Sequence, residues 1–372
     1  MAEMHHEAVR RWLRVGLTLA LASGAALLAV RARVPVPWMI GPLLVTAAAR
    51  MAGLPAVSST RLRNAGQWVI GAALGLYFTP QVTALVLGLW WAVALAVLFA
   101  LGLGVLFGGW MDRALGAAGA ELTPAQRRAT AWFASSVGGA SEMTLLAERA
   151  GARADLVAAA HSVRMTVVVL VLPFAMQWAR QHWQLPALDA TPPGRAAAEW
   201  PGLLWLGLAT GAGAWLMGRT RRANPWFIGP LLVTMALTMA DVHASAVPKA
   251  LTNAAQLVIG VSLGVRFSRP FLRTAPRWLA AAALGTLGMI ALCAGFAALL
   301  AGLTGLHPVT LMLATAPGGI AEMAITAQVL QLGVAVVTAF QVCRLVAVLL
   351  LAEPLFGWLE RRRAAPVHEK GA

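Results

Sequence analysis

The chain has 372 residues, 59% of them hydrophobic and 12% charged, with a formal net charge of +15. A soluble domain carries about 25% charged residues, so this composition excludes an ordinary soluble protein and places the chain in a membrane. The positive charge sits in short clusters at the ends of apolar runs, as the positive-inside bias requires, which sets aside direct nucleic-acid binding as its cause.

In chain order, the segments 12–30, 84–110, 156–179, 200–218, 278–303 and 334–358 are each apolar over the roughly 20 residues that a hydrocarbon core demands. Each is expected to be a transmembrane helix. Arg10, Arg11 and Arg14 ahead of the first run resemble the start of a secretory signal, but no convincing cleavage site follows, and a retained first helix is expected. Cys293 and Cys343 both lie in apolar runs, which argues against a disulfide framework.

After the first run comes "PWMIGPLLVT" at 37–46, and it returns as "PWFIGPLLVT" at 225–234. The first Pro suits a helix start and the Trp suits the membrane interface. Pro42 and Pro230 cannot donate a backbone hydrogen bond, so each frees a carbonyl inside the membrane. Gly41, Pro42, Gly229 and Pro230 are therefore hinge candidates, with a kink needed only for packing as the alternative.

Next, "NAGQWVIGAALGLYF" at 64–78 answers to "NAAQLVIGVSLGVRF" at 253–267. Asn64 with Gln67, and Asn253 with Gln256, are three residues apart at a helix start and share a face. They either cap the helix or face a solute pathway. Gly71 with Gly75, and Gly260 with Gly264, are four apart, the spacing that lets helices approach closely.

Then "SSVGGASEM" at 135–143 answers to "TAPGGIAEM" at 315–323. Gly138-Gly139 and Pro317-Gly318-Gly319 interrupt what would otherwise be helices. Beside them stand Glu142 and Glu322, and an ionisable residue within a membrane is a functional candidate by default. Arg164 and Arg344 follow at equal separation inside apolar runs, with His161 and Gln341 in matching places one turn earlier. Two readings stand together: each Glu pairs with its Arg as structural counter-ions, or the Glu carries a coupling proton or cation while the guanidinium binds an anionic solute.

The motifs keep their order in both copies, giving a first membrane repeat over 1–180, a linker over 181–199, a second repeat over 200–360 and a cytoplasmic tail over 361–372. Arginines after the second and fourth helices of the first half share a side with the amino terminus. In the second half they follow the first helix (Arg219, Arg221, Arg222) and the third (Arg266, Arg269, Arg273, Arg277). The phase has flipped, so the halves are inverted and each crosses an odd number of times. With six segments per half, the glycine-pair segment is expected to re-enter or to break. The fold expected is an all-α integral membrane protein of two inverted repeats, about ten crossings and two broken or re-entrant segments, with both termini in the cytoplasm.

The duplicated "PWxIGPLL", the "G…LG" helix and the "GGxxEM" stretch followed by an intramembrane Arg resemble the bacterial AbrB-type membrane family, which also carries the label of an ammonia monooxygenase. The resemblance covers roughly 20–360 and implies kinship with the cation–proton antiporter and anion transporter superfamily, hence an inverted-repeat fold with discontinuous helices that generally cross. A copper monooxygenase would need clustered histidines, and only His161 lies clearly within an apolar run. A soluble regulator would need a small β-rich DNA-binding unit, for which no stretch is long enough. No ATP-binding loop of the GxxxxGK(S/T) type is present. The expectation is a secondary transporter of the bacterial inner membrane for a small anionic organic solute, coupled to H⁺ or Na⁺. It needs no cofactor or metal, has the lipid bilayer as its other partner, and allows a homodimer. A membrane-bound sensor that affects gene expression indirectly, or a membrane enzyme, is the alternative.

Overall fold

The computed structural model describes residues 2–115, 122–188, 199–220, 224–242, 245–269 and 275–364. Most of the linker (189–198) and of the tail (365–372) lies outside the described residues. The first half runs α1 (Ala2–Arg31), α2 (Pro37–Met51), α3 (Thr60–Gly75), α4 (Pro80–Gly88), α5 (Trp90–Leu115), α6 (Pro124–Ser135), α7 (Ala140–Arg149) and α8 (Ala154–His182). The second runs α9 (Trp200–Arg219), α10 (Pro225–Met239), α11 (Lys249–Gly264), α12 (Pro276–Thr304), α13 (Pro308–Thr315), α14 (Ile320–Leu330) and α15 (Val334–Ala364). Among the described residues there is no strand, and apart from α4 the helices recur in the same order in both halves.

Among the described residues, five helical stretches are long and apolar enough to span a bilayer: Val9–Arg31, Trp90–Leu115, Ala154–His182, Pro276–Thr304 and Val334–Arg362. Thr60–Gly75 with Pro80–Gly88 makes a sixth only as one span bent by 90°. The fold is thus all-α and of multi-pass membrane type, with fewer long spans than the ten crossings expected. Two apolar runs differ from expectation. The run 84–110 is divided, because Thr79 caps a separate short helix that Pro80 opens and Gly88 closes, so the span starts at Trp90. The run 200–218 forms α9, but its tryptophans and glycines dilute its apolarity and it falls outside that set.

Packing cuts across the two halves. Helix α2 lies against α11, α3 against α10, and α3 crosses α11. Glycines make these contacts possible. A Cβ on Gly71 would strike the carbonyl of Phe227, and one on Gly260 would strike the carbonyl of Met39. Gly75 and Gly264 meet α10 and α2 in the same manner one turn later. Gly41 sits against the Ala25 carbonyl of α1 and Gly229 against the Gly213 carbonyl of α9, while Pro42 and Pro230 lie within continuous helices. Of the hinge candidates, the two glycines therefore stand at helix contacts in both copies. Because the obstacle at Gly71 is backbone, Gly71→Ala is expected to force α3 from α10 and to destabilise the protein by roughly 1–3 kcal/mol. A lowered thermal midpoint in detergent is the check, and an unchanged midpoint would show that the helices can part freely.

Helices α1–α3 and α9–α11 form one group, and α5–α8 with α12–α15 form the other. Both bury apolar side chains completely, Met39, Ile40, Ile70, Leu74 and Phe227 in the first and Leu311, Leu313, Met323, Ile325 and Phe340 in the second. The groups meet where α3 faces α14 and α15.

Candidate functional site

Each paired-glycine stretch is an extended break between two short helices. Helix α6 ends at Ser135 and α7 starts after Gly139, while α13 ends at Thr315 and α14 starts after Gly319. Gly139 and Gly319 have φ of −68° and −78°, so dihedral freedom is not what selects glycine there. Space is. A Cβ on Gly138 would enter the Met143 side chain, one on Gly318 would meet Met323 and Val168, and one on Gly139 or Gly319 would overlap the carboxylate of Glu142 or Glu322.

A break leaves backbone carbonyls without helical partners, which is costly inside a buried core. The arginines answer this need. Arg164 Nη1 donates to the carbonyls of Ser136 at 2.9 Å and Ser135 at 3.3 Å, and its Nη2 to Gly138 at 3.4 Å. Arg344 donates to Ala316 at 2.5 Å and Gly318 at 2.8 Å. The partners are equivalent in the two copies. Among the described residues neither Glu142 nor Glu322 forms an ion pair, so the expected Glu–Arg counter-ion pairing is replaced by a bond between guanidinium and broken backbone.

His161 and Gln341 complete the clamp. Gln341 donates to the Leu313 carbonyl at 2.7 Å and accepts from Arg344 at 2.6 Å. His161 meets the Phe133 carbonyl through Nε2 at 2.9 Å and Arg164 through Nδ1 at 2.5 Å. A guanidinium can only donate, so Nδ1 accepts and Nε2 carries the proton. His161 is then a neutral imidazole doing the work of an amide. His161→Gln is expected to keep the wild-type thermal midpoint, whereas His161→Ala leaves a buried carbonyl unpaired and loses roughly 1–3 kcal/mol. Equal midpoints for the two variants would contradict this role.

The glutamates take the third position of α7 and α14, where the helix N-terminus favours negative charge. Glu322 is 7% exposed and Glu142 half-buried. Both border one cavity of about 440 Å³, together with Gly138, Gly139, Gly318, Gly319, His161, Arg344, Asn64 and Gln67. Asn64, with its amide turned to suit its neighbours, accepts from Trp226 Nε1 at 3.2 Å. Arg164 and Gln341 stand behind the wall, Asn253 and Gln256 do not reach the cavity, and neither do the four hinge candidates. So the cavity takes Asn64 and Gln67 of one copy but not their partners in the other.

Polar residues outside the expected site also border the cavity: Thr60 and Arg63 from α3, Asn224 ahead of α10, Ser262 at the end of α11 and Arg266 just beyond it. Arg63 and Arg266 read as ordinary charges at helix ends, and their equivalents 189 positions away, Thr252 and Tyr77, are uncharged. Among the described residues no three His, Cys, Asp or Glu side chains gather as a metal site.

Residues 38–360 match the family described as "Transition state regulatory protein AbrB". The uncharacterized protein YhjN of Bacillus subtilis (strain 168) is 26% identical over 351 residues, 87% of each chain. AbrB of Escherichia coli (strain K12), named as a candidate regulator, is 26% identical over 326 residues, 85% of this chain and 88% of its own.

Proposed function

The chain belongs to the AbrB family, and from that premise we propose that it is a secondary transporter of a small anionic organic solute, coupled to H⁺ or Na⁺, in the bacterial inner membrane. One observation carries the reading: a single cavity joins both helix breaks, both glutamates and three arginines. Its volume of about 440 Å³ falls among small-molecule sites, which run from roughly 300 to 1,000 Å³. Broken helices that turn their N-termini and freed carbonyls toward one site are how secondary transporters contact solute and coupling ion without exposing backbone to lipid. The helix N-termini and arginines favour an anion, and the glutamates offer a proton or cation seat.

The flipped charge phase and the reciprocal packing of α2 with α11 and α3 with α10 support two inverted repeats, 1–180 and 200–360, joined by the linker 181–199. The cavity lies at the end of α3 and α11 where Arg61 and Arg269 also stand, the side that the charge pattern makes cytoplasmic along with both termini. No covalent chemistry is assigned to the site. The regulator name borne by the Escherichia coli relative fits this chain through a transported metabolite that alters gene expression.

The test is accumulation of radiolabelled small carboxylates and phosphates by proteoliposomes under an imposed H⁺ or Na⁺ gradient. Gradient-dependent accumulation of unchanged solute is expected. Binding without accumulation would make the protein a sensor, and recovery of an altered solute would make it an enzyme.

A further inference from the structure

Arg63 and Arg266 are the cations of the cavity that the repeat does not explain. Each belongs to one copy only, with Thr252 and Tyr77 at the equivalent places. Both are half-buried, and neither forms an ion pair among the described residues. Nε of Arg63 is buried without a hydrogen-bond partner, and Arg266 reaches only Ser162 Oγ, at a long 3.5 Å. Arg344, 4% exposed and also bordering the cavity, keeps its own Nε unpartnered. The two outer guanidiniums border the same cavity. Like charges held together and partly out of water are stable only beside negative charge, and the carboxylates that share the cavity are Glu142 and Glu322.

Building on the transporter reading above, we propose that the solute is a compact dianion held between Arg63 and Arg266, and that ionised Glu142 and Glu322 are its internal competitors. Guanidinium groups take carboxylate and phosphate alike through paired N–H donors, so the shared chemistry is two negative charges on a small frame. When the glutamates are ionised, their charges satisfy the two arginines and fill the N-termini of α7 and α14. When they are protonated, the arginines and helix ends are left to the solute. The charged and titratable groups facing the glutamates across the cavity are Arg63, Arg266, Arg344 and His161. His161 is already committed as a neutral imidazole and Arg344 to the broken backbone, so the glutamates are the groups whose protonation admits the dianion. Affinity therefore rises as pH falls.

The experiment measures the thermal midpoint of the purified full chain against succinate, malonate and lactate at alkaline pH and at a mildly acidic pH where the dicarboxylates keep both charges, and against inorganic phosphate at alkaline pH, where it is a dianion. Succinate or malonate is expected to stabilise the protein more at acidic pH, with lactate at least about tenfold weaker. Stabilisation by phosphate in preference to both dicarboxylates would identify the dianion as a phosphate. Arg63→Thr and Arg266→Tyr install side chains that the same fold already carries at the equivalent positions, so they keep the structure, and each is expected to weaken dianion binding about tenfold or more. Equal stabilisation by lactate, no stabilisation by any dianion, or wild-type affinity in both variants would overturn the proposal. Proteoliposome uptake separates the two levels: accumulation of a monoanion or cation without dianion binding removes this inference and leaves the transporter, while no accumulation of any solute removes both.

Discussion

Arg344→Met is expected to lose about 3–5 kcal/mol of stability, the scale of removing one partner from a buried charged contact. The side chain is 4% exposed, in a helix that contributes Phe340 and Val337 to the buried core. Its guanidinium bonds Ala316 and Gly318 across the break and orients Gln341, which in turn holds Leu313. Methionine matches much of the volume and supplies none of these donors, so the Gly318 carbonyl and the Gln341 side-chain oxygen would each lose the Arg344 partner in a buried environment. Arg344→Lys should recover only part of the loss, since one ammonium cannot bridge the carbonyls as a planar fork does. The measurement is the thermal midpoint of the solubilised protein, with Arg164→Met beside it. The loss should be smaller for Arg164→Met, whose contacts to Ser135 and Gly138 are longer. A wild-type midpoint for Arg344→Met would show that the break holds itself open without the guanidinium.

That role for the arginines marks where sequence reading stops. Repetition exposed the glycine pairs, both glutamates and both arginines, because two copies at constant spacing stand out from a merely apolar background. It also separated the packing glycines from polar positions, and Gly71 and Gly260 do meet equivalent carbonyls of α10 and α2. The partner of each arginine was not legible, since a free carbonyl leaves no letter in the sequence and the nearest visible counter-charge was a glutamate. Arg63 and Arg266 were hidden for a related reason. Comparing the copies selects what is shared, and these two have Thr252 and Tyr77 opposite them. The grouping of helices across the halves was illegible too, because it depends on contacts between helices far apart in the chain, such as α2 with α11.

Glu322→Gln is expected to abolish gradient-driven accumulation in proteoliposomes, a loss of at least about a hundredfold, while the protein folds and binds anion. Glutamine retains the shape that fills the space over Gly319 and an oxygen that can accept from the start of α14, so the break should persist. What it cannot do is change charge. Glu322, at 7% exposed, is the more enclosed of the two carboxylates, and ionising it without a cation nearby would be costly. A proton or Na⁺ on this group therefore alters the balance of the whole cavity, which is the property a coupling site needs. With this charge fixed at zero, solute binding loses the part of its pH dependence that Glu322 carries and keeps the part carried by Glu142, and exchange of labelled for unlabelled solute continues where uphill uptake stops. Glu142→Gln, at the more exposed carboxylate, should show a weaker version of the same split. Retention of concentrative uptake in both variants, with unchanged ion dependence, would remove the carboxylates from coupling and move it to another group in the cavity. Simultaneous loss of exchange and accumulation in folded protein would instead make Glu322 part of the solute seat itself. Only the first loss without the second fits a carboxylate that competes for the arginines and takes up the coupling ion.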